Sequence, residues 1–188
     1  TTGRDADKHT PVDVPALADV KNMALRERHS CVLLNSGGIK CWGGGYEGQL
    51  GFSPENGQTS IPTDVPGLAS GVTKIAAGVY HSCAVLSNAS LQCWGNNWAG
   101  QLGNGNLSDQ FSPQPVAGAE SGVSQVSAGD SHTCAIINQR IHCWGSNVFG
   151  QIGNGETGLY APTQPVGLES NVIAIASGSY HTCAIIQG

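Results

Sequence analysis

The chain has 188 residues, and its eight lysines and arginines against 13 aspartates and glutamates give a formal net charge of −5. A surface that binds nucleic-acid phosphates carries a surplus of basic side chains, so this composition argues against a nucleic-acid partner. The longest purely apolar run, 172–176, is far shorter than the roughly 20 residues of a spanning helix, so no membrane span is predicted.

Residues 1–10 precede the repeats and form an N-terminal extension. The repeats begin with a proline-valine stretch, which occurs as "PVDVPAL" at 11–17, "PTDVPGL" at 62–68, "PQPVAG" at 113–118 and "PTQPVGL" at 162–168. Directly after the first copy, the segment "LADVKNM" predicts a strand over 17–23.

Three further elements recur along the chain: His-Ser/Thr-Cys, Cys-Trp-Gly and Gly-Gln-Leu/Ile-Gly. The first occurs at 29–31, 81–83, 132–134 and 181–183, the second at 41–43, 93–95 and 143–145, and the third at 48–51, 100–103 and 150–153. The cysteines of the first element are 52, 51 and 49 residues apart. Residues 11–188 therefore form one segment of about three complete repeats, with partial repeats at both ends.

One unit illustrates the expected local structure. Strands are predicted at 71–78, 81–86 and 90–95, and a glycine-rich connection then leads to an outer strand at 112–118. Proline is tolerated in that outer strand, because one side of an edge strand needs no hydrogen-bond donor. No window in the repeats has a helical apolar period. A period near 50 residues with four short strands is typical of a propeller blade, so the predicted fold is an all-β propeller of four-stranded blades.

Six of the seven cysteines flank predicted hairpin tips, and they pair as Cys31 with Cys41, Cys83 with Cys93, and Cys134 with Cys143. Facing residues of an antiparallel pair have Cα atoms about 4.5 Å apart, within disulfide range. Three such pairs predict disulfides and an oxidising compartment, so we expect a secreted protein. Cys183 has no partner in this sequence, and its mate would fall beyond residue 188. We therefore expect the natural chain to continue, and a free reactive thiol is the alternative.

The histidines before these cysteines could bind metal or pack in the blades. The four are His29, His81, His132 and His181. Residues two apart on a strand face the same way, so His81 and Cys83 could share a zinc ion. Each unit offers only three ligands where structural zinc takes four, so the pattern favours a repeated hydrogen-bonding side chain. Recurrence in every unit also argues against a catalytic histidine, and neither an enzyme nor a cofactor is predicted.

Several surface features are candidates for modification or binding. Two glycosylation sequons begin at Asn88 and Asn106, and Asn88 falls at a hairpin tip. The connections before Gly-Gln-Leu/Ile-Gly carry three aromatic residues that could stand on one rim and bind protein or sugar, namely Tyr46, Trp98 and Phe149. Packing between neighbouring blades is the alternative for these aromatic residues. Trp98 is predicted to be more exposed than the tryptophans of the Cys-Trp-Gly elements.

The order glycine, His-Ser/Thr, apolar strand, Trp-Gly, Gly-Gln-Leu-Gly and Pro-Val resembles the repeat of the regulator of chromosome condensation family over residues 11–188. The resemblance implies a seven-bladed propeller, of which this chain would supply about half. It also implies that the Cys-Trp-Gly tryptophans, Trp42, Trp94 and Trp144, are buried packing residues. One departure is Arg26, which stands where the other units have Gly78, Gly129 and Gly178. The cysteines are a second departure from the family pattern.

These observations predict an extracellular protein-interaction or structural module within a larger chain or assembly. Its expected partners are proteins or further copies of the chain, with a glycan as a further possibility. A secreted enzyme inhibitor and a carbohydrate-binding lectin are the alternatives. The resemblance also suggests nucleotide exchange on a small GTPase, but acidity and paired cysteines count against that nuclear role. The chain by itself is not expected to close into a ring.

Overall fold

The computed structural model describes residues 13–14, 17–163, 165, 168 and 170–187, with only the backbone described for 159–163. Within these ranges the regular structure is β-strand throughout, which confirms the all-β prediction. The strands are β1 (Val20–Leu25), β2 (His29–Leu34), β3 (Ile39–Gly44), β4 (Gln58–Asp64), β5 (Val72–Ala77), β6 (His81–Leu86), β7 (Leu91–Gly95), β8 (Gln110–Pro115), β9 (Val123–Ala128), β10 (His132–Ile137), β11 (Arg140–Ser146), β12 (Leu159–Thr163), β13 (Val172–Ser177) and β14 (Thr182–Ile186).

The strands form successive antiparallel meanders. Blade 1 is β1–β4, blade 2 is β5–β8 and blade 3 is β9–β12, each with its strands hydrogen-bonded in chain order. The half-blade consists of β13 and β14. The strand predicted over 17–23 lies three residues later, as β1, and the residues of the N-terminal extension lie outside the described ranges. Three full sheets and a paired half-sheet in this order are the predicted propeller blades.

The blades are arranged around an axis lined by their first strands. β1 contacts β5, β5 contacts β9, and β9 contacts β13. Because the strands of each blade alternate in direction, all links from first to second and from third to fourth strands lie at one end. We call that end the loop face. The links from second to third strands and between blades lie at the other end, the turn face.

The turn-face hairpins follow from short loops that impose a tight register. Asn138 and Gln139 have φ values of 51° and 63°, the left-handed pair that a two-residue hairpin turn requires. In blade 2 the loop is three residues long, closed by the Leu86 N–H donating to the Ser90 carbonyl at 2.9 Å. These turns place Cys83 opposite Cys93 and Cys134 opposite Cys143, as the sequence predicted.

The hydrophobic core lies between successive blades rather than within one sheet. One cluster joins blade 2 to blade 3 through residues such as Leu91, Leu102, Val126 and Trp144. β10 is buried along its whole length, because a neighbouring blade covers each of its faces. β1 is largely exposed, since it is the first strand of the first blade.

Candidate functional site

Each blade carries one internal disulfide between its second and third strands. The structure contains Cys31–Cys41, Cys83–Cys93 and Cys134–Cys143, with Cα–Cα distances of 4.1–4.2 Å. The bridges fasten the hairpins and leave the contacts between blades noncovalent. Cys183 on β14 is an exposed free thiol.

The repeated histidines connect neighbouring blades. His29 of blade 1 lies 2.7 Å from the Ser82 hydroxyl of blade 2, which donates to the Gln49 carbonyl of blade 1 at 2.9 Å. Because the hydroxyl proton is used on Gln49, the His29 Nε2 must carry a proton and donate it. His81 repeats this contact with Thr133 of blade 3 at 2.9 Å.

The geometry of these histidines corresponds to the hydrogen-bonding hypothesis. His132 makes the third contact, to Thr182 of the half-blade at 3.0 Å. The neighbouring cysteine sulfurs are in disulfides and cannot act as thiolate ligands for zinc. Burial lowers the pKa of His29 and His132 to about 4 and that of His81 to about 3. The buried side chains are therefore neutral at pH 7.

Two of the repeated tryptophans complete the contacts between blades. The Trp94 indole of blade 2 donates to the Gln49 carbonyl at 3.0 Å, and Trp144 of blade 3 donates to Gln101 at 2.9 Å. Trp94 and Trp144 are 1% and 0% exposed, as predicted. Trp42 is also largely buried, as predicted, but it is more exposed than Trp94 and Trp144. Trp42 belongs to blade 1, and no described blade stands on the side where Trp94 and Trp144 find their glutamine carbonyls.

Arg26 keeps the same turn as the glycines that it replaces. Its N–H donates to the His29 carbonyl at 3.2 Å, as the Gly78 N–H does to the His81 carbonyl at 2.8 Å. The Arg26 guanidinium donates to the carbonyls of Ala77, Ala128 and Ser177 at 2.9–3.3 Å. One side chain of blade 1 thus contacts the inner strand of every other blade.

Two buried asparagines organise the loop-face connections, and the sequence analysis missed them. Asn97 donates to the carbonyls of Asn106 at 2.8 Å and Ser108 at 3.2 Å, and accepts from the Leu102 N–H at 3.0 Å. Asn147 does the same in blade 3, accepting from the Ile152 N–H at 2.8 Å. A sequence signal existed, since both asparagines follow the Cys-Trp-Gly cysteine by four residues.

The loop face carries a concave site. A cavity of about 410 Å³ lies where loops of all four blades meet. Trp98 and Phe149 both line it, and their side chains are 54% and 69% exposed. Tyr46 is 65% exposed and lies in the β3–β4 connection of the same loop face, but it does not line this cavity.

The two sequons lie on different loops. Asn88 is exposed at the blade 2 turn, where its Oδ1 accepts from the Ser90 N–H at 3.1 Å and hydroxyl at 2.8 Å. Asn106 lies in the connection between β7 and β8, where its carbonyl is held by Asn97. Both side chains are on the surface.

The described residues contain no group of three or more His, Cys, Asp and Glu side chains placed to hold a metal ion. Nor does any helix in the described part of the chain have the length and apolarity to cross a membrane.

The loop-face cavity, with aromatic walls and polar edges, has the form of a binding site.

The chain is similar to known proteins along most of its length. The model of the regulator of chromosome condensation (RCC1) repeat matches residues 36–85, 90–136 and 138–185. The ultraviolet-B receptor UVR8 of Arabidopsis thaliana is 35% identical over 139 residues, which is 71% of this chain and 31% of UVR8. The probable E3 ubiquitin-protein ligase HERC6 of Homo sapiens is 33% identical over 129 residues, 67% of this chain and 13% of HERC6.

Solved structures share the fold. Human WBSCR16 superposes with a TM-score of 0.78 at 21% identity, over 90% of this chain and 45% of that one. Prp20p from Saccharomyces cerevisiae, described with its binding to Gsp1p and histones, gives 0.73 at 25% identity, over 88% and 42%. The chain thus spans less than half of each of these proteins. With the repeat model matching most of its length, the chain belongs to the RCC1 repeat family.

Proposed function

We propose that this chain is an extracellular protein-interaction module, part of a larger propeller or assembly, and that it binds its partner through the loop face. The observation that carries the proposal is the loop-face cavity, to which Trp98, Phe149 and Tyr180 contribute exposed aromatic surface. Exposed aromatic side chains around a cavity are typical of binding surfaces, where they contribute most of the affinity. Prp20p, a relative by fold, is described as binding Gsp1p and histones, which supports a protein partner.

The extracellular part of the proposal is supported by the disulfides. All three complete blades have one, and structural disulfides persist in oxidising compartments. Thiol labelling of the protein isolated from its source tests this. We expect six protected cysteines, and free thiols at those six positions would contradict secretion.

The proposal of a larger propeller or assembly is supported by residues of the first blade and the half-blade that lack the partners their counterparts have. Trp42 is partly exposed and lacks the glutamine carbonyl that Trp94 and Trp144 bind, and His181 at the opposite end is exposed. The expected occupant of either end is another blade with the same contact residues. Sedimentation of the oxidised protein tests this, since a stable closed monomer of this chain alone would contradict it.

Affinity capture from the extracellular fluid of the source organism tests the binding surface. The oxidised chain should retain a specific protein, and Trp98→Ala and Phe149→Ala should each weaken its capture at least tenfold. Phe111→Ala is the matched control, because Phe111 is an exposed aromatic residue on β8, outside the loop face. Equal capture by all variants would overturn the assignment of the loop face.

A lectin is the second candidate, because sugars also stack on exposed aromatic rings such as Trp98. A glycan array separates the two functions: saturable binding of a defined glycan that Trp98→Ala abolishes would replace the protein-partner proposal. If the captured protein is an enzyme, its activity in the presence of the chain decides whether the module is an inhibitor.

We also propose that Asn88 carries an N-linked glycan when the chain passes through a eukaryotic secretory pathway. Its amide nitrogen would bond to the first sugar carbon of a lipid-pyrophosphate-linked oligosaccharide, losing a proton as the lipid pyrophosphate leaves. Asn88 lies on the turn face, so a glycan there leaves the loop face open. Asn106 is proposed as a second acceptor. Mass spectrometry before and after enzymatic deglycosylation should show a loss at Asn88, and an unmodified Asn88 peptide would contradict the proposal.

A further inference from the structure

Charge is distributed unequally between the two ends of the propeller segment. The described loops of the loop face carry six carboxylates against two basic side chains. The carboxylates are Glu27, Glu47, Glu55, Asp109, Asp130 and Glu156, and the basic residues are Arg26 and Arg28. The sequence analysis did not find this segregation, because these acids are spread over 130 residues of sequence. An acidic face attracts cationic partners during encounter.

Two of these carboxylates line the loop-face cavity. Glu27 reaches it from the β1–β2 loop and Asp130 from the β9–β10 loop. Neither carboxylate has a Lys, Arg or His nitrogen within ion-pair distance; Lys40 and Asp64 make the ion pair found in the described residues, and it lies elsewhere. The Asp130 Oδ1 is buried, yet no described group donates a hydrogen bond to it. A partly buried carboxylate that no described cation pairs favours a cationic ligand in the cavity that it lines.

Four aromatic residues also line the cavity, beside aliphatic and polar side chains. Tyr80, Trp98, Phe149 and Tyr180 all line it, and the rings of Phe149 and Tyr180 meet edge to face with centroids 5.0 Å apart. Aromatic faces attract cations through their quadrupole, and arginine stacks on them especially well. Aromatic rings beside an unpaired carboxylate therefore suit a cationic group better than a neutral one.

Neither arginine of the loop face pairs with the carboxylates that line the cavity. The Arg26 guanidinium is already bonded to carbonyls of three inner strands. The Arg28 guanidinium lies 5.4 Å from the centroid of the Tyr80 ring, and Arg28 does not line the cavity. The Arg28 contact shows that a guanidinium can be accommodated against an aromatic ring of this face.

Building on the proposed function of the loop face, we propose that the cavity receives an arginine side chain presented by the partner protein. The guanidinium stacks between the aromatic walls and donates to the Asp130 carboxylate. Arginine fits better than lysine because its planar fork can stack on a ring and donate to a carboxylate at the same time.

A blocked tripeptide, acetyl-Gly-Arg-Gly-amide, is a suitable probe for the oxidised 188-residue chain. We expect saturable shifts of the Trp98 indole signal in ¹H–¹⁵N spectra, with a Kd on the order of 1 mM for one side chain. The matched peptide contains citrulline, which has the shape of arginine without its charge, and it should bind at least tenfold more weakly. Equal binding of the citrulline peptide, or no saturable shift, would overturn the proposal.

Two variants locate the site. Asp130→Asn should weaken the arginine peptide at least tenfold, whereas Glu55→Gln, which removes a loop-face charge away from the cavity, should bind it like the unchanged chain. Equal weakening by both variants would show a general charge effect and contradict a specific pocket. Should Asp130→Asn fail to fold, Trp98→Ala provides the same test through backbone amide shifts.

The failure of this inference is separable from failure of the proposed function. If the natural partner is captured through Trp98 and Phe149 but the arginine peptide does not compete, the loop face remains the binding surface and the arginine assignment is wrong. If the peptide binds saturably but no protein is captured, the arginine pocket stands and the protein-partner proposal loses its support.

Discussion

Blade 1 and blade 2 have the same strand order and the same disulfide, yet their side chains meet different surroundings. Trp94 of blade 2 is buried against blade 1, whereas Trp42 in the corresponding place is partly exposed. In blade 1, Arg26 occupies the position of Gly78 in blade 2, and Gly45 occupies the position of the buried Asn97. The difference teaches that a repeat residue acquires its role from the neighbouring blade, not from its own sheet.

The two tryptophans give the strongest test of that comparison. Trp94→Ala should lower the free energy of unfolding by about 4 kcal/mol, because it empties a buried site and removes a hydrogen bond to Gln49. Trp42→Ala should cost about 2 kcal/mol, since that ring is partly exposed and no hydrogen bond to a glutamine carbonyl is lost. Urea titration of both variants measures the difference. Equal losses would mean that blade 1 is covered as fully as blade 2.

A second test uses Gly78, which lies three residues before His81 at the inner end of blade 2. A Cβ at Gly78 would meet the His81 ring and stand 2.6 Å from the Gly129 carbonyl, so Gly78→Ala should cost about 3 kcal/mol. Gly150→Ala is the control, because no atom lies within 4 Å of its added Cβ and only backbone strain, about 1 kcal/mol, is expected. Thermal unfolding of both variants orders the two effects, and a reversed order would contradict the close approach of the blades at the axis.

A third test uses Asn97, which has no counterpart in blade 1, where Gly45 occupies its position. Asn97→Ala should cost about 2 kcal/mol and loosen the connection between β7 and β8, because the Asn106 and Ser108 carbonyls lose their donor. Asn56→Ala, in the corresponding connection of blade 1, should change stability by less than about 0.5 kcal/mol. Hydrogen exchange of the loop amides would show the loosening, and unchanged protection in Asn97→Ala would argue against the organising role.

The pH dependence of stability tests the buried histidines that connect neighbouring blades. The folded-state pKa of His81 is about 3, below its ordinary value of 6.5, so the unfolded chain binds its proton first. Stability from this group is complete above pH 6.5 and is lost as the pH falls toward the folded pKa. One proton bound only by the unfolded chain contributes about 1.4 kcal/mol per pH unit to the slope of the free energy of unfolding against pH. His81→Gln removes this titrating group, so it should reduce the slope between pH 4 and 6 by that amount. An unchanged slope would show that His81 is not buried neutral.

The sequence predicts the features that depend on local spacing. The repeat period predicted the blades, and the hairpin spacing placed Cys134 opposite Cys143, because the strands of each blade pair with their neighbours in sequence. It could not place Arg26 on the axis, where the acceptors are 51 to 151 residues away. It also could not separate Tyr46 from Trp98 and Phe149, since the cavity is formed by loops of several blades. The lower burial of Trp42 compared with Trp94 was not visible in the sequence, because it depends on a neighbouring blade.

The placement of one disulfide inside each blade also affects the order of folding. The paired cysteines are nine or ten residues apart, so each hairpin can be oxidised as soon as it forms, before any later blade has been synthesised. A repeat protein with similar cysteines in every unit would otherwise risk linking one repeat to another. Early local closure leaves only noncovalent contacts, such as that of His29 with Ser82, to form when the blades dock.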